Sequence, residues 1–368
     1  MKKIVVAIDS YKGCLTSKEA NQAAAEGIMA VCPDAEVVQV PVSDGGEGFL
    51  EAFHGSMGGT VVELTVRDPL MRPVTARYLM GTDDQGLPMA VIEVAQACGL
   101  TLLRHDDASG VDERNPLVAT SYGVGQLVAD AVRRGACHII VGLGGSGTSD
   151  AGMGMLHALI DSFARHGRWD DVDALRGVRF TIATDVSNPL YGVTGAAHVF
   201  APQKGASQAD VAVLDRRARM FAEVSARHFG YDRSQAEGAG AAGGLGYAFL
   251  QYLDAECKSG IQLLLDTIGF SHLKEDADCI VTGEGTADRQ TLMGKLPMGI
   301  LQQSGGTPVW LVAGRIADRD ALLHAGFAQV ACINPPGMAL GESMRKEVAR
   351  QNIALTVGAL MKREWTIQ

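Results

Sequence analysis

His138 to Gly154 reads HIIVGLGGSGTSDAGMG. His138, Ile139, Ile140 and Val141 form the short apolar run of a fully buried parallel strand, and that run passes directly into Gly142, Gly144, Gly145 and Gly147. Beyond the glycines, Ser149 or Asp150 is placed to cap a helix whose Met155, Leu156, Leu159, Ile160 and Phe163 recur at helical spacing, up to a stop at Gly167. Strand, glycine loop and helix start together read as an anion cradle: backbone N–H groups face the ligand, and the missing Cβ atoms let an oxyanion come close. A dinucleotide fingerprint would need an acidic residue about 20 positions on, at the end of the next strand. That region is the polar loop GRWDD, Gly167 to Asp171. A Walker A loop fails as well, because the one Gly-Lys, Gly294-Lys295, has Arg289 where the first glycine should stand. A phosphate cradle without its own lysine fits best, beside the plainer alternative of a structural tight turn and the less well matched one of a dinucleotide site.

Outward from this stretch, βα alternation accounts for both ends of the chain. Ile4 to Ile8 is a buried strand ending in Asp9, Ser10, Tyr11, Lys12 and Gly13, and Thr16 with Glu19 reads as the capping box of a helix that stops before Pro33. Glu36 to Val40 is a second strand, running into Asp44, Gly45, Gly46 and Glu47. That acidic pair is either another capping box or a site for Mg²⁺ bound with phosphate. From Thr60 the texture changes to three strand-like runs joined by Asp-Pro, Arg-Pro and Asp-Asp-Gln-Gly turns, the pattern of an antiparallel meander. Phe180 to Ala183 ends at Asp185, and Lys204 sits in a Gln-Lys-Gly loop. Gly238 to Gly246 is either an anion loop or a close-packing element. Doubly wound texture returns where Cys279 to Thr282 ends in Gly283, Glu284 and Gly285, followed by Asp288, Arg289, Gln290 and Lys295. The expected architecture is α/β: a doubly wound, mostly parallel, Rossmann-like or flavodoxin-like sheet domain from 1–60 plus 260–368. An α/β domain containing the meander and the Gly142–Gly147 loop is inserted at 61–259.

Length and balance narrow the ligand. The 368 residues are 47% hydrophobic and carry a net charge of −10, which argues against nucleic-acid and membrane surfaces and for a small molecule. Seven cysteines, odd in number and never in a C-x-x-C pair, read as reduced thiols of a cytoplasmic protein. A homodimer is an assembly the sequence leaves open. Carboxylates, lysines and glycine cradles gathered at strand ends suit phosphoryl transfer, whose catalysis is positioning plus neutralisation of phosphate charge.

These blocks run in an order that resembles the bacterial type I glycerate kinase family almost end to end. The residues that carry the likeness are Asp9 to Gly13, Pro41 to Gly48, Gly142 to Gly152, Asp185 to Leu190, Gln203 to Gly205, Gly238 to Gly246, Gly283 to Gly285, Asp288 to Thr291, and Gly294-Lys295. One block departs from the family's usual Ser-Ala-Thr-Asn-Asp-Gly-Gly: here Ser146-Gly147-Thr148-Ser149-Asp150-Ala151-Gly152 has Ser149 for Asn and Ala151 for Gly. The resemblance implies ATP-dependent phosphorylation of D-glycerate at the 2-hydroxyl to 2-phosphoglycerate, in glyoxylate or sugar-diacid catabolism, with Mg²⁺. The alternatives are a kinase for another small hydroxy acid, a 3-phosphoglycerate-forming activity, or a non-catalytic metabolite-binding protein. On this reading Asp185, Asp288, Lys12 and Lys295 are catalytic. Gly142, Gly144, Gly145, Ser146, Gly147, Asp150, Gly283, Glu284 and Gly285 bind the nucleotide. Asp9, Ser10, Asp44, Gly45, Gly46, Arg289, Gln290 and Lys204 bind glycerate, and Asp185, Asp44 and Glu47 hold the metal.

Overall fold

The structure is a computed structural model that describes residues 1–43, 48–83, 85–106 and 109–365. Asp44, Gly45, Gly46 and Glu47, expected above to bind substrate or metal, lie outside the described residues. The chain forms two compact units, one of Met1–Asp44, Glu51–Met57 and Ile261–Gln368, the other of Gly45–Leu50 and Gly58–Gly260. No helix among the described residues is long and apolar enough to cross a membrane.

The first unit begins with strands β1 (Lys3–Ile8) and β2 (Glu36–Gln39). The chain then builds the second unit from β3 (Thr60–Arg67), β4 (Pro73–Thr82), β5 (Pro88–Glu93), a hairpin of β6 (His105–Asp106) and β7 (Val111–Asp112), β8 (His138–Gly142), β9 (Arg179–Ala183) and β10 (Glu256–Lys258). It returns to the first unit with β11 (Cys279–Ala287), β12 (Val309–Ile316) and β13 (Gln329–Cys332).

In the first unit the sheet order is β13-β12-β11-β1-β2 and every pairing is parallel. Ile4 to Ile8 are fully buried on both faces, as a central parallel strand requires. Helices Ser17–Met29 and Lys346–Trp365 cover one face, packing Ala20, Ala23, Ala24, Ile28, Ile353, Val357 and Met361 on Ile4, Val6 and Ile8. Their backbones touch at Gly27, where a Cβ would stand 2.2 Å from Ala354 O. Two side chains of the first helix fix the strand ends. Buried Asn21 accepts from Ile8 N (2.8 Å) and donates to Val40 O (2.9 Å), while Ser17 Oγ donates to Ile8 O (2.6 Å) and accepts from Val42 N (3.0 Å).

The expected capping box is present, with Glu19 N on Thr16 Oγ1 (3.2 Å) and Thr16 N on Glu19 Oε2 (2.9 Å). Thr16→Ala strands the Glu19 amide and is expected to cost about 1 kcal/mol, read as a lower midpoint in urea unfolding.

The second unit is one mixed sheet of order β10-β9-β8-β5-β4-β3. β3, β4 and β5 pair antiparallel, which is the meander, and β5, β8, β9 and β10 pair parallel. Asp68 closes the first meander turn, accepting from Leu70 N and Arg72 N at 2.8 Å each and from Arg72 Nε at 2.6 Å. The cationic groups of this region therefore hold loops: Arg72 also reaches Glu113, and Arg114 binds Asp112.

Three boundaries differ from the sequence reading. The helix after the glycine loop begins at Met153, with Gly152 in the left-handed N-cap position, because the backbone must first turn through Ala151 (φ 55°) and Gly152 (φ 76°). β11 does not stop at Thr282 but runs to Ala287, because the long β12 pairs with it as far as Thr286 and Ala287. The last helix, which the sequence places at Gly341 to Lys362, begins instead at Lys346, after a short separate turn at Leu340–Ser343.

Candidate active site

In the second unit, parallel strands bring their carboxyl ends together as β5, β8 and β9, which carry Glu93, Gly142 and, two residues beyond β9, Asp185. The glycine loop after β8 is pinned by the segment after β5: Leu100 N donates to Gly145 O (2.9 Å) and Gly147 N to Cys98 O (2.7 Å). Gly145 needs its φ of +73°, and a Cβ at Gly147 would stand 3.0 Å from Leu100 Cα. The amides of Gly144 and Gly145 donate to no backbone acceptor among the described residues.

Lys204 is buried, only 2% exposed, at the end of a single 3₁₀ turn Pro202–Lys204. Its Nζ donates to Ser146 Oγ (3.0 Å) and Thr148 O (2.7 Å). Burial lowers its pKa to about 8, against the opposing pull of Cys98 and Asp150.

Asp150 organises the far side of the loop. Its Oδ2 accepts from Ser121 N (2.8 Å), Ser121 Oγ (2.9 Å) and Gly154 N (3.1 Å), and its Oδ1 from Gly152 N (3.0 Å). The carboxylate thus satisfies amides at the start of helix Met153–Phe163 and just before helix Tyr122–Arg133, although neither Ser149 nor Asp150 is the N-cap residue. The Gly238–Gly246 stretch packs its backbone against this loop; Gly243 O accepts from Ala151 N at 3.1 Å. Asp185 is exposed, with Gly260 N at 3.3 Å from Oδ1.

In the first unit, β1 and β11 end side by side, and Asp9 N donates to Gly283 O (2.9 Å). Asp9 Oδ1 accepts from Ser10 N (2.7 Å), and a tight turn from Tyr11 to Leu15 leaves Lys12 exposed at its tip. Glu284 is 7% exposed and accepts from Thr291 Oγ1 at 2.5 Å. The same hydroxyl accepts from Asp288 N (3.0 Å), while Asp288 Oδ1 accepts from Gln290 N (2.8 Å). Thr291 therefore ties the Glu284 carboxylate to the Asp288 backbone. Burial, then the nearby Glu284 charge, raises the Tyr11 hydroxyl pKa, so Tyr11 stays protonated and donates towards Val312 O at 3.4 Å. Arg289 is exposed and held through Nε by Asp318 (2.7 Å); half-buried Lys295 precedes helix Leu296–Gln303. Gly283 and Gly285 are extended strand residues, so Glu284 stands on a strand and not in a glycine loop. A Cβ at Gly283 would meet Val312 O at 2.3 Å, so the close approach there is to a neighbouring strand.

Two residues escaped the sequence reading. Glu93 is 2% exposed, and its signal was a lone acid ending the apolar run Met89 to Ile92. Thr291 is fully buried, and its signal is the Asp-x-x-Thr spacing from Asp288, that of a side-chain-to-backbone cap.

The sequence profile of the glycerate kinase family matches residues 4–168 and 164–363. The chain belongs to the glycerate kinase family. It is an enzyme of the kinase class. Among its relatives are the glycerate kinase of Bacillus subtilis strain 168, 38% identical over 93% of this chain and 92% of that one, and the glycerate 2-kinase of Escherichia coli K12, 37% identical over 88% and 87%. A crystal structure from Salmonella typhimurium LT2, assigned as a glycerate kinase 2, superposes with a TM-score of 0.80 at 32% identity and covers all of both chains. The two-unit α/β architecture is therefore that of a glycerate kinase family member throughout its length.

Proposed function

We propose that this chain transfers the γ-phosphoryl group of ATP to the 2-hydroxyl of D-glycerate, forming 2-phosphoglycerate in glyoxylate or sugar-diacid catabolism. The observation that carries this reading is the near full-length match to relatives named for glycerate phosphorylation, one of them specifically a 2-kinase. The two polar sets at strand ends support it, since phosphoryl transfer asks mainly for fixed donors, cations and one carboxylate. Seven free cysteines suit a reducing compartment, and we assign the reaction to the cytoplasm.

The amides of Gly144 and Gly145, with Gly142, Ser146 and Gly147 shaping their loop, take nucleotide phosphate oxygens, and Lys295 is a cation for phosphate. Glu284, through Thr291, holds Asp288 in position. Lys12 and Arg289 meet the glycerate carboxylate, and Asp9, Ser10 and Gln290 offer polar groups to its hydroxyls. Asp185 and Asp288 divide two tasks, holding Mg²⁺ and taking the hydroxyl proton. The described residues contain no group of three His, Cys, Asp or Glu that could hold a metal ion. An ion that keeps phosphate and water oxygens in most of its shell needs only one or two carboxylates, and the exposed Asp185 fits that demand. When bound, Mg²⁺ neutralises charge on the phosphate oxygens.

A ³¹P NMR spectrum of the product made from ATP, Mg²⁺ and D-glycerate tests the reading. The expected result is one new phosphomonoester signal coincident with authentic 2-phosphoglycerate. Coincidence with 3-phosphoglycerate overturns the regiochemistry. Faster turnover with another hydroxy acid overturns the substrate, and no consumption of ATP overturns the reading altogether.

A further inference from the structure

Lys204 is in an uncommon position for a lysine. It is 2% exposed, and no carboxylate among the described residues lies within ion-pair distance of its Nζ. Both of its hydrogen-bond partners are neutral oxygens of one loop, Ser146 Oγ and Thr148 O. A buried ammonium with only neutral acceptors is costly to the fold unless something charged pairs with it part of the time. The titratable groups that face it are Cys98, from the segment that pairs with the loop, and Asp150. Burial pushes the Cys98 thiol up to about 12, so it stays neutral, and the Asp150 carboxylate is already surrounded by Ser121, Gly152 and Gly154 donors. On the other side of the turn, Gly205 packs on the backbone of Arg114, whose guanidinium is turned to Asp112. The positive charge at Nζ is thus left under-compensated, in contact with the loop whose Gly144 and Gly145 amides are open.

We propose that Lys204 is the buried cation of an anion subsite formed by the Gly142–Thr148 loop, and that it favours nucleotide phosphate by its charge while shaping the loop through Ser146 and Thr148. The loop lacks a lysine of its own, and Lys204 supplies the charge from another part of the chain. The proposal rests on the nucleotide reading of this loop. Lys204 acts through Ser146 and Thr148 and through its field, so it is a positioning residue. Its charge must be present for tight binding, and the sign of the pH dependence follows. With a pKa of about 8, Lys204 is mostly charged at pH 7 and mostly neutral at pH 9.5. An anion favours the charged form, so its affinity falls as pH rises through 8, by at most tenfold per pH unit.

The test is calorimetric binding of ADP with Mg²⁺ at pH 7 to 10 to the full chain and to Lys204→Gln and Lys204→Met, with D-glycerate binding followed in parallel. Gln keeps a donor for Ser146 or Thr148 without the charge, and Met keeps neither. At pH 7 both variants are expected to bind ADP at least tenfold more weakly, with a nearly flat pH profile. The wild-type affinity is expected to fall until it meets theirs near pH 10, a convergence that a merely structural lysine would not produce. Equal ADP affinity in Lys204→Gln and wild type at pH 7, or parallel pH profiles, overturns the proposal while leaving the kinase reading intact. Absence of any ADP binding by wild type that still binds glycerate overturns both. If Lys204→Met does not fold, as judged by circular dichroism, the Gln variant and the wild-type profile still decide.

Discussion

Asp185→Asn and Asp288→Asn are each expected to lower kcat by about 10³-fold while leaving the melting temperature within a few degrees of wild type, within the range known for loss of a general acid or base. Asn keeps the size of Asp and one acceptor oxygen. Asp185 would still accept from Gly260 N and Asp288 from Gln290 N, so the local turns survive. On the proposed reading, what disappears is the charge that would attract Mg²⁺ and the basicity that would take a proton. The two roles separate in the kinetics. The variant of the metal carboxylate needs more Mg²⁺ for half-maximal rate, and the variant of the base loses kcat while keeping the wild-type Mg²⁺ requirement. Turnover near wild type in both, with correctly folded protein, shows that the assignment is wrong.

Gly243→Ala is the substitution expected to cost the most stability, about 3–5 kcal/mol, read from chemical denaturation of the full chain. Gly243 has φ +67°, and a Cβ there would lie 2.0 Å from Thr148 O and 2.7 Å from Ser149 Cα, both backbone atoms. Neither atom can rotate away as a flexible side chain would. The following Gly244 is equally confined, with φ +89° and a Cβ position 2.9 Å from Ala151 Cα. Relief must therefore come from moving the glycine loop itself, and activity is expected to fall with stability. Gly285→Ala is the contrast, since nothing lies within 4 Å of its Cβ position; a change under about 0.5 kcal/mol is expected.

The legible parts of the fold share a cause. Apolar runs such as Ile4 to Ile8 and Ile139 to Val141 carry their burial in their composition, and both are buried strands. The Thr16–Glu19 box and the meander turns are local hydrogen-bond patterns over a few residues, so they too can be read in order. The extent of β11 was not legible, because Gly283 to Ala287 has poor strand propensity and is held extended by the partner strand β12. Gly238 to Gly246 admitted two readings for the same reason: glycine enrichment marks a close approach without naming what approaches. The structure shows what approaches Gly243 and Gly244, the backbone of Thr148 to Ala151.

For the candidate site the division is similar. Residue order alone determined the alternation of strand and helix, the glycine loop, the acids and lysines at strand ends, and the family likeness, because each is written within a short window. Only the tertiary structure decided that Lys204 lies buried against Ser146 and Thr148, 58 and 56 positions away, and that Asp150 ties Ser121 to Gly152 and Gly154. Burial and charge compensation are sums over neighbours contributed by distant segments. A lysine in a Gln-Lys-Gly loop therefore reads the same whether water or a glycine loop surrounds it, until the chain has folded.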